Sequence, residues 1–406
     1  MSLFNFSPPA FLLVPSTEKY ERKWNRLSRL YARYHEIQKS DHFLRYEDLN
    51  RFVSSPEYHQ EIMQIRSMNY QGSKEQLAER RLADLKKYPE VKEYRKTGEM
   101  GSGYVQEYMD LQEHVHSPSF KKHKAFLLNR RRHLTSDSYQ KQVEYKRLSK
   151  SRDIKEYFSL QKKYRTLFSE LEGLKPLFED EFRSLGIAPH WSVNSPQSIH
   201  TFQQIYSQSE ELSCITQGTN IEQRNGVFRI YTRHEDANGM AWDQKFGFVP
   251  CEYQYTSGLV STAENLQIER GSIEIKLRFT NVKNVYHSLW LGGAERLPFL
   301  SGFTYCNKSL LMGAYTQDKK AYVKQKKIAL SDDQFYVLNI EITNGAITWY
   351  INGKKMAECA NILKTPMSIG LSSGIIGATD QMKLPAVFEI DWIRVYNNPV
   401  IKIRKS

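Results

Sequence analysis

The chain predicts a multidomain α and β protein: an N-terminal all-α bundle of short repeated helices, then a C-terminal antiparallel β-sandwich of the jelly-roll kind. Three observations predict it. Through the first half, helix-opening residues recur at spacings of 14–19 residues. From about Lys175 a Lys/Glu/Leu texture gives way to short alternating runs of Val, Ile, Phe, Tyr and Thr. With 406 residues, 40% of them apolar and 13% aromatic, the length suits two or three domains with buried cores. The expected divisions are a tail over 1–16, a basic helical repeat domain over 17–174, the sandwich over 175–400 and a basic tail over 401–406.

In the helical half, segments open at Ser40, Ser55, Ser73, Tyr88, Ser102, Ser117, Ser136 and Ser151. A serine hydroxyl accepts from a free N–H of the first helical turn. Pro56 and Pro118 follow directly, where no N–H is needed. Three positions after each opening stands an apolar or aromatic residue: Phe43, Tyr58, Val91, Val105, Phe120, Tyr139 and Ile154 among them. VSSPEY at Val53 returns as VHSPSF at Val115, and LKKYPEVKEY at Leu85 returns as LSKSRDIKEY at Leu148. Such units are marginal alone and predict duplicated hairpins held by packing.

Charge separates the halves. Residues 1–175 hold 34 Lys+Arg against 23 Asp+Glu, a net +11, and the remainder holds 24 against 22, a net +2. A basic half suits an anionic surface, nucleic acid or a protein assembly partner, but alternating signs also describe a solvated helical domain. Arg130, Arg131 and Arg132, with Lys121, Lys122 and Lys124 nearby, read either as such a patch or as cations at a helix end. His114 and His116 lack further ligands at metal spacing, and Cys214, Cys251, Cys306 and Cys359 form no CxxC pair, so zinc is not expected and free, buried thiols are. No run approaches a membrane span. The N-terminus has no basic start and its AFLLV run is closed by Pro15, so the expectation is a cytoplasmic protein or one assembled into a larger particle, secreted only with a leader that is missing.

The β half carries GSIEIKLRF, AITWYING and AVFEIDWIRVY, with a type I′ hairpin signal at Asn352-Gly353. Trp349 and Trp392, each in an alternating apolar strand, are assigned to the core.

The segments then follow a known order. LFEDEF at Leu177, HWSV near Trp191, NGVFRIYTR at Asn225, YTSGLVST at Tyr255, IERGSIEIKLRF at Ile268, VYHSLWLGG at Val285, ITWYINGKKM and FEIDWIRVY at Phe388 resemble, in order, the strands of family 16 glycoside hydrolases, from about 177 to 397. The resemblance implies a concanavalin A-like sandwich and a polysaccharide ligand. It also implies a catalytic E-I-D-x-x-E or E-x-D-x-E strand after the W-L segment, where two carboxylates serve as nucleophile and acid/base. The carboxylates of that strand are not there. RLPFLSGFTYCNKSLLMGAYTQ, from Arg296 to Gln317, has no acidic residue. Ser301, Phe303 and Tyr305 are the expected occupants of the cleft-facing positions, and Glu295 and Asp318 bracket the gap.

No catalytic residue is therefore assigned. Trp290, Phe303, Tyr305, Trp242 and Arg296 are the cleft candidates for stacking on or contacting a sugar, with core packing as the alternative for Trp290. The resemblance further implies a structural Ca²⁺ held by Glu181 and Asp391 through hard oxygens, against plain hydrogen bonding at the sandwich edges. The expected function is a non-catalytic carbohydrate-binding or scaffolding protein, a pseudoenzyme whose helical half docks a partner. Two alternatives stay open. One is an active retaining endo-β-glucanase with carboxylates relocated to Glu252, Glu264, Glu269 or Asp243; the other is nucleic-acid or anionic-surface binding through the helical half.

Overall fold

The computed structural model describes residues 14–101, 103–168, 171, 176–263, 265–316, 321–361, 363–377 and 382–396. The two expected tails, apart from residues 14–16, the helix opening at Ser102, and Glu264 and Asp318 lie outside them.

The first half forms α1 (Thr17–Lys39), α2 (Asp41–Val53), α3 (Pro56–Ser67), α4 (Lys74–Leu85), α5 (Pro89–Thr97), α6 (Gly103–His116) and α7 (Pro118–Leu128). A 3-10 turn at Arg132–Thr135 precedes α8 (Asp137–Leu148), α9 (Arg152–Lys162) and α10 (Tyr164–Leu167). Ser40, Ser55, Ser73, Ser117, Ser136 and Ser151 each cap the next helix through the side-chain oxygen, accepting from the N–H three residues on. Tyr88 takes the same place with Pro89 behind it and no side-chain bond. Phe43, Tyr58, Val91, Val105, Phe120 and Ile154 are buried. Helical spacing therefore turns one apolar stripe of each short helix inward, where it offsets the entropy that the helix alone cannot.

The chain divides into two compact units, Leu30–Arg165 and a second made of Met1–Arg29 with Thr166–Ser406. The division falls inside α1, whose opening turns belong with the β half. There Asn352 Nδ2 donates to the Pro15 carbonyl at 2.7 Å, and Thr17 Oγ1 donates to the Phe335 carbonyl.

The β half comprises β1 (Pro176–Asp180), β2 (Ser207–Gln208), β3 (Ser213–Ile215), β4 (Ile221–Arg224), β5 (Val227–Asp243), β6 (Gly247–Ser257), β7 (Leu259–Ser261), β8 (Gln267–Ile268) and β9 (Gly271–Phe279). It continues with β10 (Val285–Gly292), β11 (Phe299–Cys306), β12 (Ser309–Tyr315), β13 (Ala321–Lys327), β14 (Tyr336–Ile342), β15 (Ala346–Ile351), β16 (Lys354–Ala360), β17 (Met367–Ile375) and β18 (Ala386–Tyr396). The larger sheet runs β16-β15-β14-β9-β18-β5-β6-β3, with β1 beside β18 and β2 and β4 beside β5. The smaller runs β13-β12-β11-β10-β17-β7, with β8 beside β17. Pairing is antiparallel apart from two short parallel additions, β2 on β5 and β3 on β6.

The two sheets bury one core between them. β9 gives it Ile273, Ile275, Leu277 and Phe279, β18 gives Phe388, Ile390, Ile393 and Val395, and the smaller sheet gives Leu289, Leu291, Leu310, Met312, Ile369 and Leu371. Strict alternation puts every second residue inside. Several bulges break that alternation, and two of them matter here. One lies in β18 between Ile390 and Trp392, so Ile390 and Ile393 both face in and Trp392 faces out. Trp392 is thus not a core residue, which corrects the sequence-based assignment; Trp349 is, at 2% exposure. The second bulge, in β11, sets the candidate site.

Candidate ligand-binding face

The face in question is the outer face of the smaller sheet. Its composition is unusual. β7, β8, β10, β11, β12, β13 and β17 contain no Asp or Glu.

The β11 register places its side chains. Leu289 pairs with Phe303 and Trp290 with Ser301, so Gly302 is the extra residue. A Cβ at Gly302 falls 2.4 Å from Ile340 Cδ1 and 3.1 Å from the Leu289 carbonyl, so only glycine lets the strand bulge against the core here. The bulge reverses parity along the strand. Leu300, Phe303 and Tyr305 all enter the core, and Phe299, Ser301 and Thr304 are left on the other side. Phe303 and Tyr305, expected in the cleft, are core residues at 2% exposure each. Tyr305 donates its hydroxyl proton to the Ile328 carbonyl at 3.2 Å, which satisfies a buried phenol far from any ligand. Ser301 is outward as expected.

The outward set has the i, i+2, i+5 spacing of E-I-D-x-x-E. Thr304 Oγ1 shares hydrogen bonds with Ser288 Oγ at 2.8 Å and Ser301 Oγ at 3.0 Å. This is a neutral hydroxyl cluster satisfied within itself. It holds no acid and no nucleophile activated by a neighbouring base.

Trp290 lies on this face and is nearly covered, with 6% exposed. Its ring rests on glycine: a Cβ at Gly370 falls 2.0 Å from it. Its Nε1 donates to Ser372 Oγ at 3.2 Å, and Phe299 stacks 6.0 Å away. Tyr286 likewise covers Gly374, and Tyr315 covers Gly313. Three aromatic rings over three glycines make a floor of flat apolar surface among hydroxyls.

One carboxyl reaches this floor from elsewhere. Glu211, between β2 and β3, accepts a hydrogen bond from the Tyr286 hydroxyl. Burial lifts the Glu211 carboxyl to about 7, against the pull of that hydroxyl and of the Gln208 N–H. The same burial, with the Glu211 charge, pushes the Tyr286 phenol well up. Sequence reasoning missed Glu211, because a glutamate in a short polar loop carries no local signal. Gly302, an isolated glycine in a strand, was a signal for the bulge.

Trp242 and Arg296 gather elsewhere. Trp242 packs with Phe202 at 4.8 Å, Phe248 at 4.9 Å and Tyr206 at 6.4 Å. Arg296 is exposed in the β10–β11 loop, and its charge opposes the rise that burial gives the Tyr206 phenol. That loop is tied down by Thr201 Oγ1 donating to the Ala294 carbonyl at 2.7 Å and by Gln197 Nε2 donating to the Glu295 carbonyl at 3.2 Å. Since it joins Gly292 to Phe299, it borders the Trp290 end of the floor.

Of the relocated-carboxylate candidates, Glu252, Asp243 and Glu269 are among the described residues, each in its own local setting. Glu252 is exposed on β6. Asp243 Oδ1 accepts from the backbone N–H groups of Lys245 and Phe246 in the β5–β6 turn. Glu269 pairs with its neighbour Arg270 at 3.1 Å.

The expected calcium ligands are engaged by cations. Asp391 meets Lys276 at 2.9 Å. Glu181 meets Arg394 at 3.2 Å and also pairs with Arg183. Among the described residues no group of three or more His, Cys, Asp or Glu could hold a metal ion. Two carboxylates with Lys and Arg partners do not fit a Ca²⁺ cage, which needs six to eight oxygens.

In the helical unit, Arg132 is buried and donates to the carbonyls of Ile65, Leu127, Asn129 and Arg66. Lys124 pairs with Glu79 at 2.5 Å. These members of the expected basic patch are therefore structural. His114 packs edge-on to Phe120, 5.3 Å away, and His116 Nδ1 bonds the Gln112 carbonyl. Lys155, Lys162 and Lys163 line a hollow of about 360 Å³ with Tyr46 and Phe158. Among the described residues no helix is long and apolar enough to cross a membrane.

No family model and no curated protein matches the chain. Solved structures do. The chain is similar to the laminarinase catalytic domain of Thermotoga maritima MSB8 (18% identity, 55% of this chain and 98% of that one, TM-score 0.46). It is also similar to the endo-β-1,3-glucanase of Pyrococcus furiosus (17%, 55% and 94%, TM-score 0.46) and to LamAcat of Zobellia galactanivorans (16%, 55% and 98%, TM-score 0.44).

Proposed function

We propose that the sandwich binds a neutral polysaccharide on the outer face of its smaller sheet and does not cleave it. The observation that carries this reading is the outward row Phe299, Ser301 and Thr304, an apolar ring and two hydroxyls at carboxylate spacing. Glycoside hydrolysis needs two carboxyl groups across the bond, about 5–5.5 Å apart for a retaining enzyme. Glu211 supplies one, and the strands of the sheet supply none. What the face offers instead suits recognition: the part-exposed rings of Tyr286, Phe299 and Tyr315 for the apolar side of a sugar and the part-exposed Thr304 hydroxyl, above the buried Ser288, Ser301 and Trp290.

The test pairs two measurements on the full chain. Migration in native gels containing β-glucan, agar, carrageenan or xyloglucan is expected to be retarded by at least one polymer, and Thr304→Arg is expected to abolish the retardation. Reducing-end release from the same polymers is expected to stay at background. Release that disappears in Glu211→Gln would overturn the non-catalytic reading, and unretarded migration in all four would overturn binding.

A further inference from the structure

The outer face of the larger sheet holds a cavity of about 410 Å³, and we propose that it is a second binding site, for one or two neutral sugar rings. It is independent of the smaller sheet's face. Its walls are aromatic: Tyr20 and Trp24 from α1, and Trp392 and Tyr396 from β18. The β18 bulge is what turns Trp392 outward into it.

Its polar groups are mixed in sign and role. Glu274 is 9% exposed and accepts from Asn339 Nδ2 at 2.9 Å and from the Tyr20 hydroxyl at 3.3 Å. Glu21 is met by Lys276 at 2.7 Å. Arg394 lies over the Trp392 ring at 4.4 Å and reaches Glu181. Asn25 and Ser28 add an amide and a hydroxyl. Burial, with the Glu274 charge behind it, pushes the Tyr396 phenol to about 12, so it remains a donor.

This composition selects a class of ligand. An anion meets Glu274 and Glu21; a cation meets Arg394. A neutral polyol meets neither penalty, since each of its hydroxyls donates to a carboxylate and accepts from an amide, guanidinium or phenol. Indole and phenol faces receive the C–H side of a pyranose by burial of apolar area. The volume falls within the usual range for small-ligand sites.

Saturation-transfer NMR on the full chain tests this, with cellobiose, lactose and maltose as probes and tetramethylammonium and acetate as charged controls. At least one disaccharide is expected to receive saturation. Its affinity is expected to fall at least tenfold in Trp24→Ala and in Asn25→Trp, which fills the cavity from an exposed helical position and so guards against misfolding. Thr304→Arg is expected to leave it unchanged. No transfer to any disaccharide overturns the site, as does transfer that both cavity variants leave intact. Displacement of the sugar by either charged control overturns the neutral class. Loss in Thr304→Arg alone places the sugar on the other sheet, and the cavity proposal then fails while the proposed function stands.

Discussion

The two outer faces of the sandwich differ most in where the charge sits. The smaller sheet presents hydroxyls and rings without one acidic residue in its strands. The larger sheet presents a network: Glu389 takes Arg229 at 2.9 Å and Arg278 at 2.6 Å, and Lys276 joins Glu21 to Asp391. One core serves both, so the fold does not decide the chemistry of either face. Whatever chemistry needs carboxylates in strands has material on the larger sheet alone. Whatever needs neutral contact has it on the smaller.

The sharpest way to break that comparison is to test which side of β11 each residue faces. Phe303→Ala is expected to cost about 3–5 kcal/mol, as for a large core ring, whereas Thr304→Ala should cost no more than about 1.5 kcal/mol, the net worth of a hydrogen bond. Urea unfolding of both variants checks the order; a reversed order would return Phe303 to the open face. Next in size is Gly370→Ala, whose methyl meets the Trp290 ring at 2.0 Å. About 1–3 kcal/mol of overpacking and a changed tryptophan fluorescence spectrum should mark the lost floor.

A smaller effect concerns Glu211, the carboxyl that meets Tyr286 at that floor. The folded Glu211 carboxyl titrates near 7, above its ordinary 4.5, so between those values the folded state holds a proton that the unfolded state releases. Its contribution to stability is therefore full below about 4.5 and is lost as pH rises through 7. Relative to Glu211→Gln, the parent protein should lose stability progressively across that window, read as the difference between two urea midpoints at each pH. A flat difference means a solvated carboxyl. Smallest is Asp391→Asn on the opposite face. The pair with Lys276 is partly buried, but Lys276 keeps Glu21, so the loss is expected to cost about 1 kcal/mol, and EDTA is expected to leave the melting temperature unmoved. A rise on adding Ca²⁺ that vanishes in Asp391→Asn would show these carboxylates leaving their cations for a metal.

Much of this was legible in the sequence, for physical reasons that can be named. Ser55 before Pro56 and Ser117 before Pro118 announce helix starts by local hydrogen bonding alone, and each does cap its helix. Ile273, Ile275, Leu277 and Phe279 announce a half-buried strand by period two. Legibility failed where the period slips. Phe303, Tyr305 and Trp392 were each placed by counting in twos across a bulge, and each was put on the wrong side. Asp180 escaped notice for a different reason. Its carboxylate gathers the Phe182 N–H, His190 Nε2 and Trp191 Nε1, all within 2.9 Å, and the last two lie ten or more residues away. Glu211 is likewise defined by what folds over it.

The Gly302 bulge also bears on which changes the strand tolerates. The outward residues of such a strand can be replaced without disturbing the core, and the extra residue keeps the two halves of its apolar set on one side. Removing Gly302 would leave a regular strand with Phe303 and Tyr305 still inside, whereas flattening the bulge with Gly302 kept would drive both into water and pull Thr304 inward. Every outward side chain of β11 can thus be exchanged while the core and the spacing stay as they are. Any alignment drawn without regard to that extra residue will compare inner positions with outer ones from 303 onward.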